Sequence, residues 1–268
     1  MPTSICVTCG TQFAHAAAPP AVCPICADER QYVGSGGQQW TTLADLQSAY
    51  ANRFQTYEPG LVGVGTEPRF AIGQRALLIQ TPHGNVLWDC VSLIDQATID
   101  ELRALGGVQA IAISHPHYYS SMVEWSRAFG DAPIYLHAAD REWVMRPDAA
   151  IVFWEGPTHQ LWDGLTLIRC GGHFDGGSVL HWAGARRAGL LLTGDIIQVV
   201  SDRRWVSFMR SYPNLIPLPA AAVRAIVAAV EPFGFERIYG AWWDSCVESA
   251  AMDAVRRSAD RYIAAITE

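Results

Sequence analysis

The sequence predicts an α/β (α+β) protein that carries a small metal-binding segment at its amino terminus. Strand-like apolar runs come first as hairpins and later alternate with helical patterns, which is typical of a mixed α/β architecture. Half of the 268 residues are apolar, which is enough for a substantial core. Two pairs of cysteines lie within the first 26 residues. We therefore expect a metal clip over residues 1–36 and a large domain over residues 37–268.

The amino-terminal segment contains two CxxC pairs, Cys6-Val-Thr-Cys9 and Cys23-Pro-Ile-Cys26, which are 13 residues apart. This spacing lets four thiolates close tetrahedrally around one ion, as in a zinc ribbon. A segment with so few apolar residues cannot bury a core of its own, so metal binding would supply its folding free energy. The expected ion is a structural zinc. Iron, as in a rubredoxin-like electron carrier, stays open because four thiolates accept either metal.

The large domain is expected to follow a hinge at residues 34–37 and to begin with a helix capped by Thr41 or Thr42. A hairpin comes next, with strands at 75–80 and 86–89, and Asp95 then caps a helix that runs to about Leu105. Further strands are predicted at 108–114, 133–137, 162–170, 178–182, 189–193 and 237–241, and further helices at 121–129, 218–230 and 248–266.

Three of these predicted strands are followed by residue types that are common metal ligands. His115 and His117 follow the first, His173 follows Gly171-Gly172 after the second, and Asp195 follows Thr193-Gly194 after the third. Imidazole and carboxylate together suit Zn, Fe or Mn rather than Ca or Mg, and open coordination positions leave room for water or substrate. The pattern therefore predicts a catalytic metal site.

The order of these motifs resembles the metallo-β-lactamase-fold hydrolases over roughly residues 60–245. A hairpin ends in Asp89, a strand leads to His-x-His, and the Gly-His-x-x-Gly-Gly and Thr-Gly-Asp motifs follow. The resemblance implies an αββα sandwich with the metal site at one edge. His115, His117, His173 and Asp195 fall on ligand positions of the family. Metal-assisted hydrolysis of esters, thioesters, lactones, amides or phosphoesters is the activity that it implies.

The chain departs from the family where the second metal is bound. The family motif HxHxDH has Tyr119 and Ser120 at its last two ligand positions here, and residues 240–244 contain no histidine where the family has its final one. A two-metal site is therefore not expected. The prediction is one ion, Zn or Fe, at the histidine and aspartate site.

Several candidate residues also have a simpler interpretation. Asp195 is a ligand or an acid–base group, but it is equally a common turn or cap residue. Tyr118 and Tyr119 are candidate catalytic hydrogen-bond donors to the substrate, or they only pack. Asp89 either caps a loop or orients a liganding imidazole. For His137 and His181, which lie in predicted strands, either a hydrogen-bonded place in the core or support of a liganding residue is expected.

Three functions remain open at this point. The leading one is a metallohydrolase that uses a single metal-bound water on a small ester, thioester or lactone. A non-haem iron oxygenase is the second, because His115, His173 and Asp195 resemble the ligand set of the persulfide dioxygenases. The third is a catalytically degenerate binding or scaffold protein, in which the clip serves as an interaction module.

Composition limits the classes of partner and of chemistry that are expected for this protein. The net charge is −7 and charged residues make up 17% without long runs of one sign, so a nucleic-acid surface is not expected. All 19 basic residues are arginine, which excludes lysine-based Schiff-base chemistry. Neither a signal peptide nor a membrane span is apparent. The expectation is a cytoplasmic protein that acts on a small molecule, with a homodimer possible.

Overall fold

The computed structural model describes residues 3–162, 164–185 and 188–267. Asp163, which falls in the predicted strand 162–170, lies outside the described residues, as do the chain ends of the two predicted domains. The chain divides into two compact units. The first contains Met1–Leu136 and Arg141–Phe153, and the second contains His137–Asp140 and Trp154–Glu268. The domain division predicted after residue 36 stays a prediction.

The first unit begins with the cysteine segment. Its elements are β1 (Ile5–Cys6), α1 (Pro24–Ala27), β2 (Trp40–Thr41) and α2 (Leu43–Ala49). Strands β1 and β2 pair in antiparallel fashion, with Ile5 opposite Thr41. Helix α2 begins with a capping box, because the Thr42 side chain accepts from the Asp45 backbone N–H and the Asp45 carboxylate accepts from that of Thr42. The predicted cap is confirmed.

A mixed sheet forms the body of the first unit. Among its described residues the strands are β3 (Ala51–Glu58), β4 (Leu61–Glu67), β5 (Arg75–Thr81), β6 (Gly84–Trp88), β7 (Ala110–Ala112), β8 (Ile134–His137) and β9 (Ile151–Trp154), in that spatial order. Strands β3 to β6 are antiparallel neighbours, and β6, β7 and β8 run parallel. The predicted hairpin is β5–β6.

Two helices connect the parallel strands of this sheet. They are α3 (Gln96–Ala104) and α4 (Met122–Ala128), and the Asp95 side chain caps α3 as predicted. Strands β6 and β7 are almost wholly buried, and both end at the same edge of the sheet. Asp89 and Ser114 lie just past these ends. This edge holds the His-x-His motif, as expected where parallel strands deliver side chains.

The second unit contains a second mixed sheet. Its described strands are β10 (Thr158–Trp162), β11 (Leu165–Arg169), β12 (Ser178–Trp182), β13 (Leu190–Gly194), β18 (Arg237–Gly240) and β19 (Cys246–Val247), again in spatial order. Only the pair β13–β18 of this sheet is parallel. Short pairs form from β14 (Gln198–Val199) with β15 (Val206–Ser207) and from β16 (Met209–Ser211) with β17 (Ile216–Pro217). Helices α5 (Ala220–Val230) and α6 (Ala251–Thr267) pack on a buried apolar cluster that includes Leu191, Ile226 and Val255.

Some predicted elements need correction. The strand predicted at 162–170 corresponds to β11, whereas β10, which pairs with β11 in antiparallel fashion, was not predicted apart from its last residue. Strands β3 and β4 were not predicted. Helix α5 begins at Ala220 instead of residue 218, because Pro219 lacks a backbone N–H and sits at the cap. Within the described residues, no helix has both the length and the apolar content that a membrane span requires.

Candidate metal centres

The four cysteines predicted to bind metal lie together in the first unit. Their sulfur atoms are all within 4.8 Å of one another, and all four side chains are buried. The Sγ atoms of Cys6 and Cys26 are 3.6 Å apart, and those of Cys9 and Cys23 are 3.7 Å apart. The two turns bring the sulfurs together because Gly10 closes the first one with φ +82° and α1 begins directly after Cys23.

Gln38 completes this cysteine cluster from outside the two CxxC pairs. Its side-chain N–H donates to the Cys6 sulfur at 3.2 Å, and its side-chain oxygen accepts from the Cys23 backbone N–H at 3.1 Å. Hydrogen bonds with Cys23, then Cys26, hold the pKa of the Cys6 thiol well below its ordinary value. Four sulfurs at these distances fit one tetrahedral zinc or iron ion. The cluster is consistent with a zinc ribbon.

His115 and His117 lie beyond the end of β7, on a short 3-10 turn formed by Pro116–Tyr118. Their ring centroids are 5.2 Å apart, and both side chains are buried. Pro116 suits the first position of this turn, because its φ is already restricted and no N–H is needed there. The turn therefore presents both imidazoles from one short segment.

A chain of hydrogen bonds fixes the orientation of His115. Asp89 is buried, has φ +61°, and its Oδ1 accepts from both the backbone N–H and the hydroxyl of Ser114 at 2.8 Å. The Ser114 Oγ is 2.9 Å from Nδ1 of His115. Because the hydroxyl proton goes to the carboxylate, the oxygen accepts from Nδ1–H, which leaves Nε2 with a lone pair for a metal. Asp89 thus orients a candidate ligand instead of only capping a loop.

The residues after His117 are buried. Tyr118 is 0% exposed, with its ring centroid 4.4 Å from that of His115, and Tyr119 is 2% exposed. The Ser120 hydroxyl donates to the Cys90 carbonyl at 3.2 Å and accepts from the Gln74 side chain at 3.1 Å. The roles of both tyrosines in catalysis stay predictions.

His173 lies in the second unit, on the loop between β11 and β12. Its Nδ1 is 3.1 Å from the backbone carbonyl of Met209, and a carbonyl only accepts, so Nδ1 carries the proton and Nε2 is left as a metal donor. Asp140 supports the same loop, because its Oδ1 accepts from the Gly176 N–H at 2.8 Å. A Cβ on Gly176 would lie 2.7 Å from Oδ2 of Asp140, so a larger residue there would force its neighbours to move.

Asp195 follows β13 in the second unit, at a turn closed by the Ile196 N–H donating to the Thr193 carbonyl. Its side chain is buried, and its backbone carbonyl accepts from the Tyr212 hydroxyl at 2.8 Å. Burial, followed by the charge of Asp195, raises the pKa of Tyr212. Tyr212 therefore stays protonated and keeps this hydrogen bond.

The three predicted histidine ligands form a second candidate group. One ring nitrogen each from His115, His117 and His173 lies within 4.8 Å of the others. Three buried imidazoles fit Zn or Fe with a position left open. Asp195 is not a member of this group of described residues, so its role as ligand or base stays a prediction.

The histidines expected in the core are there. His181 is buried and its Nε2 donates to the Gly234 carbonyl at 2.7 Å, and His137 is buried beside Trp154. Burial lowers the pKa of both imidazoles. The Asp244 side chain is 90% exposed, and its Oδ1 lies 3.8 Å from a guanidinium nitrogen of Arg203.

Sequence reasoning missed the residues that hold the candidate ligands. Ser114, Gln38, Asp140 and Tyr212 each act through a hydrogen bond to a residue far away in sequence or to the backbone. The sequence offered a signal only for Ser114, which immediately precedes the first histidine.

Solved structures show which fold these elements make. The chain superposes on VMB-1 with a TM-score of 0.62 and 11% identity over 81% of this chain and 98% of that one. For the metallo-β-lactamase DIM-1 the TM-score is 0.60 with 11% identity, covering 81% and 99% of the two chains. For FIM-1 from Pseudomonas aeruginosa, a metallo-β-lactamase solved in its mono-zinc form, the TM-score is 0.58 with 13% identity over 78% and 95%. The protein has the metallo-β-lactamase fold, with two mixed sheets and flanking helices.

A full-length relative defines the family. The chain is 55% identical over 269 residues to the uncharacterized protein YmaE of Bacillus subtilis (strain 168), covering 99% of this chain and 97% of the relative. The chain belongs to the family of that protein. No family model matches it.

Proposed function

We propose that the protein is a metal-dependent hydrolase that holds one ion at His115, His117 and His173 and acts on a small ester, thioester, lactone or related substrate. The observation that carries this proposal is the group of three buried imidazoles whose ring nitrogens lie within 4.8 Å of one another. Two of them have their Nδ1 atoms occupied by oxygen partners, which suits ligation through Nε2.

A single ion, and not two, is supported by the residues at the positions where the metallo-β-lactamase-fold hydrolases bind their second metal. Ser120 is hydrogen-bonded to Gln74 and to the Cys90 carbonyl, and tyrosine stands at the neighbouring position. The same fold holds a single zinc in another protein, because FIM-1 was solved in a mono-zinc form. Zinc bound with an open position would lower the pKa of a coordinated water to about 7 and so provide a nucleophile at neutral pH.

The protein's own residues would then orient and transfer protons. The Asp89–Ser114 chain keeps Nε2 of His115 deprotonated and directed away from the serine. The Asp195 carboxylate would accept the proton released during attack, and the phenol of Tyr118 or Tyr119 would donate to the oxyanion that develops on the substrate. Burial of both tyrosines strengthens such a hydrogen bond, because little water competes for it.

The test is metal content per chain, measured by elemental analysis on four forms of the full chain. The wild type is expected to hold two ions, one at the cysteines and one at the histidines. His115→Ala/His173→Ala should hold one. The matched control His83→Ala/His159→Ala removes two histidines outside the group and should keep both ions. The fourth form, Asp195→Asn, should keep both ions and lose turnover in a screen of esters, thioesters and lactones.

Two other results would contradict the hydrolase proposal. One ion in the wild type and in the histidine double variant alike would mean that only the cysteines are loaded, and the hydrolase proposal would fail. Iron at the histidines together with oxygen consumption would favour the oxygenase instead.

A further inference from the structure

The turn after Cys9 connects the cysteine cluster to the loop that carries His115 and His117. Gly10, Thr11 and Gln12 follow Cys9 directly, and the Thr11 hydroxyl lies 3.4 Å from the Cys9 sulfur. The Thr11 carbonyl accepts from the Cys6 N–H at 3.0 Å, which closes the turn around the first CxxC pair. The conformation of this turn therefore depends on how Cys6 and Cys9 are held.

A backbone hydrogen bond runs from this turn to the histidine loop. The Gln12 N–H donates to the Ser120 carbonyl at 3.0 Å, and Ser120 is three residues after His117. Ser120 has φ +46°, an unfavourable conformation for a residue with a side chain, so neighbouring contacts must hold it. The contact with Gln12 is one of these.

A second connection passes through Ser92. The Ser92 hydroxyl donates to the Gly10 carbonyl at 2.7 Å, and the Ser92 carbonyl accepts from the Ser121 hydroxyl at 2.8 Å. Ser92 is buried, and a Cβ on Gly10 would lie 2.4 Å from its Oγ. The two segments therefore meet without space between them, and a shift of one is transmitted to the other.

The third connection is a buried charge. Arg146 is 6% exposed, and its guanidinium donates to the side-chain oxygen of Gln12 and to the Glu124 carboxylate, the latter at 2.6 Å. Glu124 lies in the first turn of α4, the helix that begins just after the histidine loop. Glu124 is partly exposed and stays hydrated without Arg146, so the main consequence of losing Arg146 is the loss of the link between Gln12 and Glu124. Arg146 thus holds Gln12 and the start of α4 together.

We propose that Gln12, Ser92 and Arg146 are positioning residues through which the cysteine cluster fixes the His115–His117 loop. Loading of the four cysteines with metal would then raise the affinity of the histidine group for its own ion. Coupling between two binding sites is reciprocal, so an ion at the histidines would strengthen binding at the cysteines by the same factor. The inference rests on the proposed metal function of the histidines.

Cobalt(II) titration of the metal-free full chain against a competing chelator tests this coupling. Cobalt bound by four thiolates gives intense thiolate-to-metal absorption, whereas cobalt bound by imidazoles gives only weak visible bands, so the two sites are followed separately. The variants are Arg146→Met, Arg146→Lys and Ser92→Ala. Arg127→Met is the control, because Arg127 lies on α4, the helix that carries Glu124, and pairs with Asp148 at 2.9 Å.

We expect Arg146→Met and Ser92→Ala to retain full thiolate absorption with at most a small fall in thermal midpoint, while cobalt binding at the histidines weakens by about tenfold, within the range typical of coupled sites. Arg146→Lys should restore part of the affinity, since it keeps the charge. A merely structural residue would lower the thermal midpoint without selectively changing the visible bands of the histidine site.

Two results would overturn the inference in different ways. Two cobalt ions in every form with equal affinity at the histidines would reject the coupling and leave the proposed function intact. A wild-type chain that binds cobalt only through thiolates would reject the proposed function and the coupling with it. If Arg146→Met loses its thiolate absorption because it does not fold, Ser92→Ala decides by the same criteria.

Discussion

The two candidate metal groups of this protein are built in opposite ways. The four cysteines come from 21 consecutive residues, Cys6 to Cys26, and sit in one small buried cluster with Phe13 and Ile25. The three histidines come from residues 115 to 173 and follow strands that are buried without them. In the first group the cysteine ligands themselves make up much of the buried cluster. In the second group the histidine ligands lie in loops that follow strands, and the apolar side chains of those strands form the core. The first group should therefore govern folding, and the second should govern chemistry.

The largest expected contrast is between Cys23→Ser and His115→Ala. Each variant should lose one ion, but Cys23→Ser should lose more than about 4 kcal/mol of unfolding free energy, since loss of a structural metal is among the most destabilising changes. His115→Ala should lose less, about 0.5–3 kcal/mol, because the buried imidazole leaves a cavity while the strands stay packed. Urea unfolding together with metal analysis measures both.

Cys170→Ala is the control for this contrast, because Cys170 is a buried thiol of the second unit outside the cluster. It separates the loss of a buried sulfur from the loss of an ion. Equal destabilisation by Cys23→Ser and His115→Ala would refute the division into a folding site and a chemical site.

Ser114→Ala probes how the histidine group is supported. The change removes the hydroxyl that links Asp89 to His115, and loss of such an outer partner typically lowers metal affinity by about 10- to 100-fold. The ion at the cysteines should be unaffected. Ser126→Ala is the matched control, since Ser126 is also buried and donates to the Ala132 carbonyl at 2.7 Å. Equal affinities in the two variants would mean that the Asp89–Ser114 chain does not orient His115.

The fold was predictable from the sequence where its signals are local. The two CxxC pairs, the β5–β6 hairpin and the caps of α2 and α3 all depend on residues that are close in the chain. Strand β3 was missed because it is partly exposed and rich in polar residues, so it lacks an apolar pattern. Strand β10 was missed because it is partly exposed and three of its five residues are polar, so it also lacks a continuous apolar pattern.

The candidate site was predictable only as far as its ligand types. His115, His117 and His173 stand in recognisable motifs, whereas Asp140 and Tyr212 have no motif. Asp140 reaches Gly176 across 36 residues of chain, and Tyr212 reaches the Asp195 carbonyl across 17. Such contacts are products of the folded sheet order, which spacing along the chain does not reveal.

Gly176→Ala should have a smaller effect than the preceding changes. The added Cβ would meet Asp140 at 2.7 Å and the Cβ of His137 at 2.9 Å, and forcing atoms into a packed site costs about 1–3 kcal/mol. Because the loop also carries His173, metal affinity at the histidines should fall together with the unfolding free energy. Gly34→Ala is the control, since nothing lies within 4 Å of its added Cβ. Unchanged metal affinity in Gly176→Ala would show that His173 tolerates movement of its loop.

The smallest expected effect is the pH dependence of stability that comes from the core histidines, His137 and His181, which lie outside the ligand group. Burial lowers the pKa of His181 in the folded protein, although its hydrogen bond to the Gly234 carbonyl opposes part of that shift. The unfolded chain therefore binds more protons than the folded chain just below pH about 6.5, and stability falls as the pH decreases through that range. His137 shifts in the same direction for the same cause.

This acid sensitivity has to be measured without the ion at the histidines, because protonation of ligands would also release metal. His115→Ala/His173→Ala is the suitable background, and adding His181→Gln to it should reduce the loss of unfolding free energy between pH 7.5 and pH 5. Glutamine keeps a donor for the Gly234 carbonyl but does not titrate. An unchanged pH dependence would mean that His181 is protonated as readily in the folded chain as in the unfolded one.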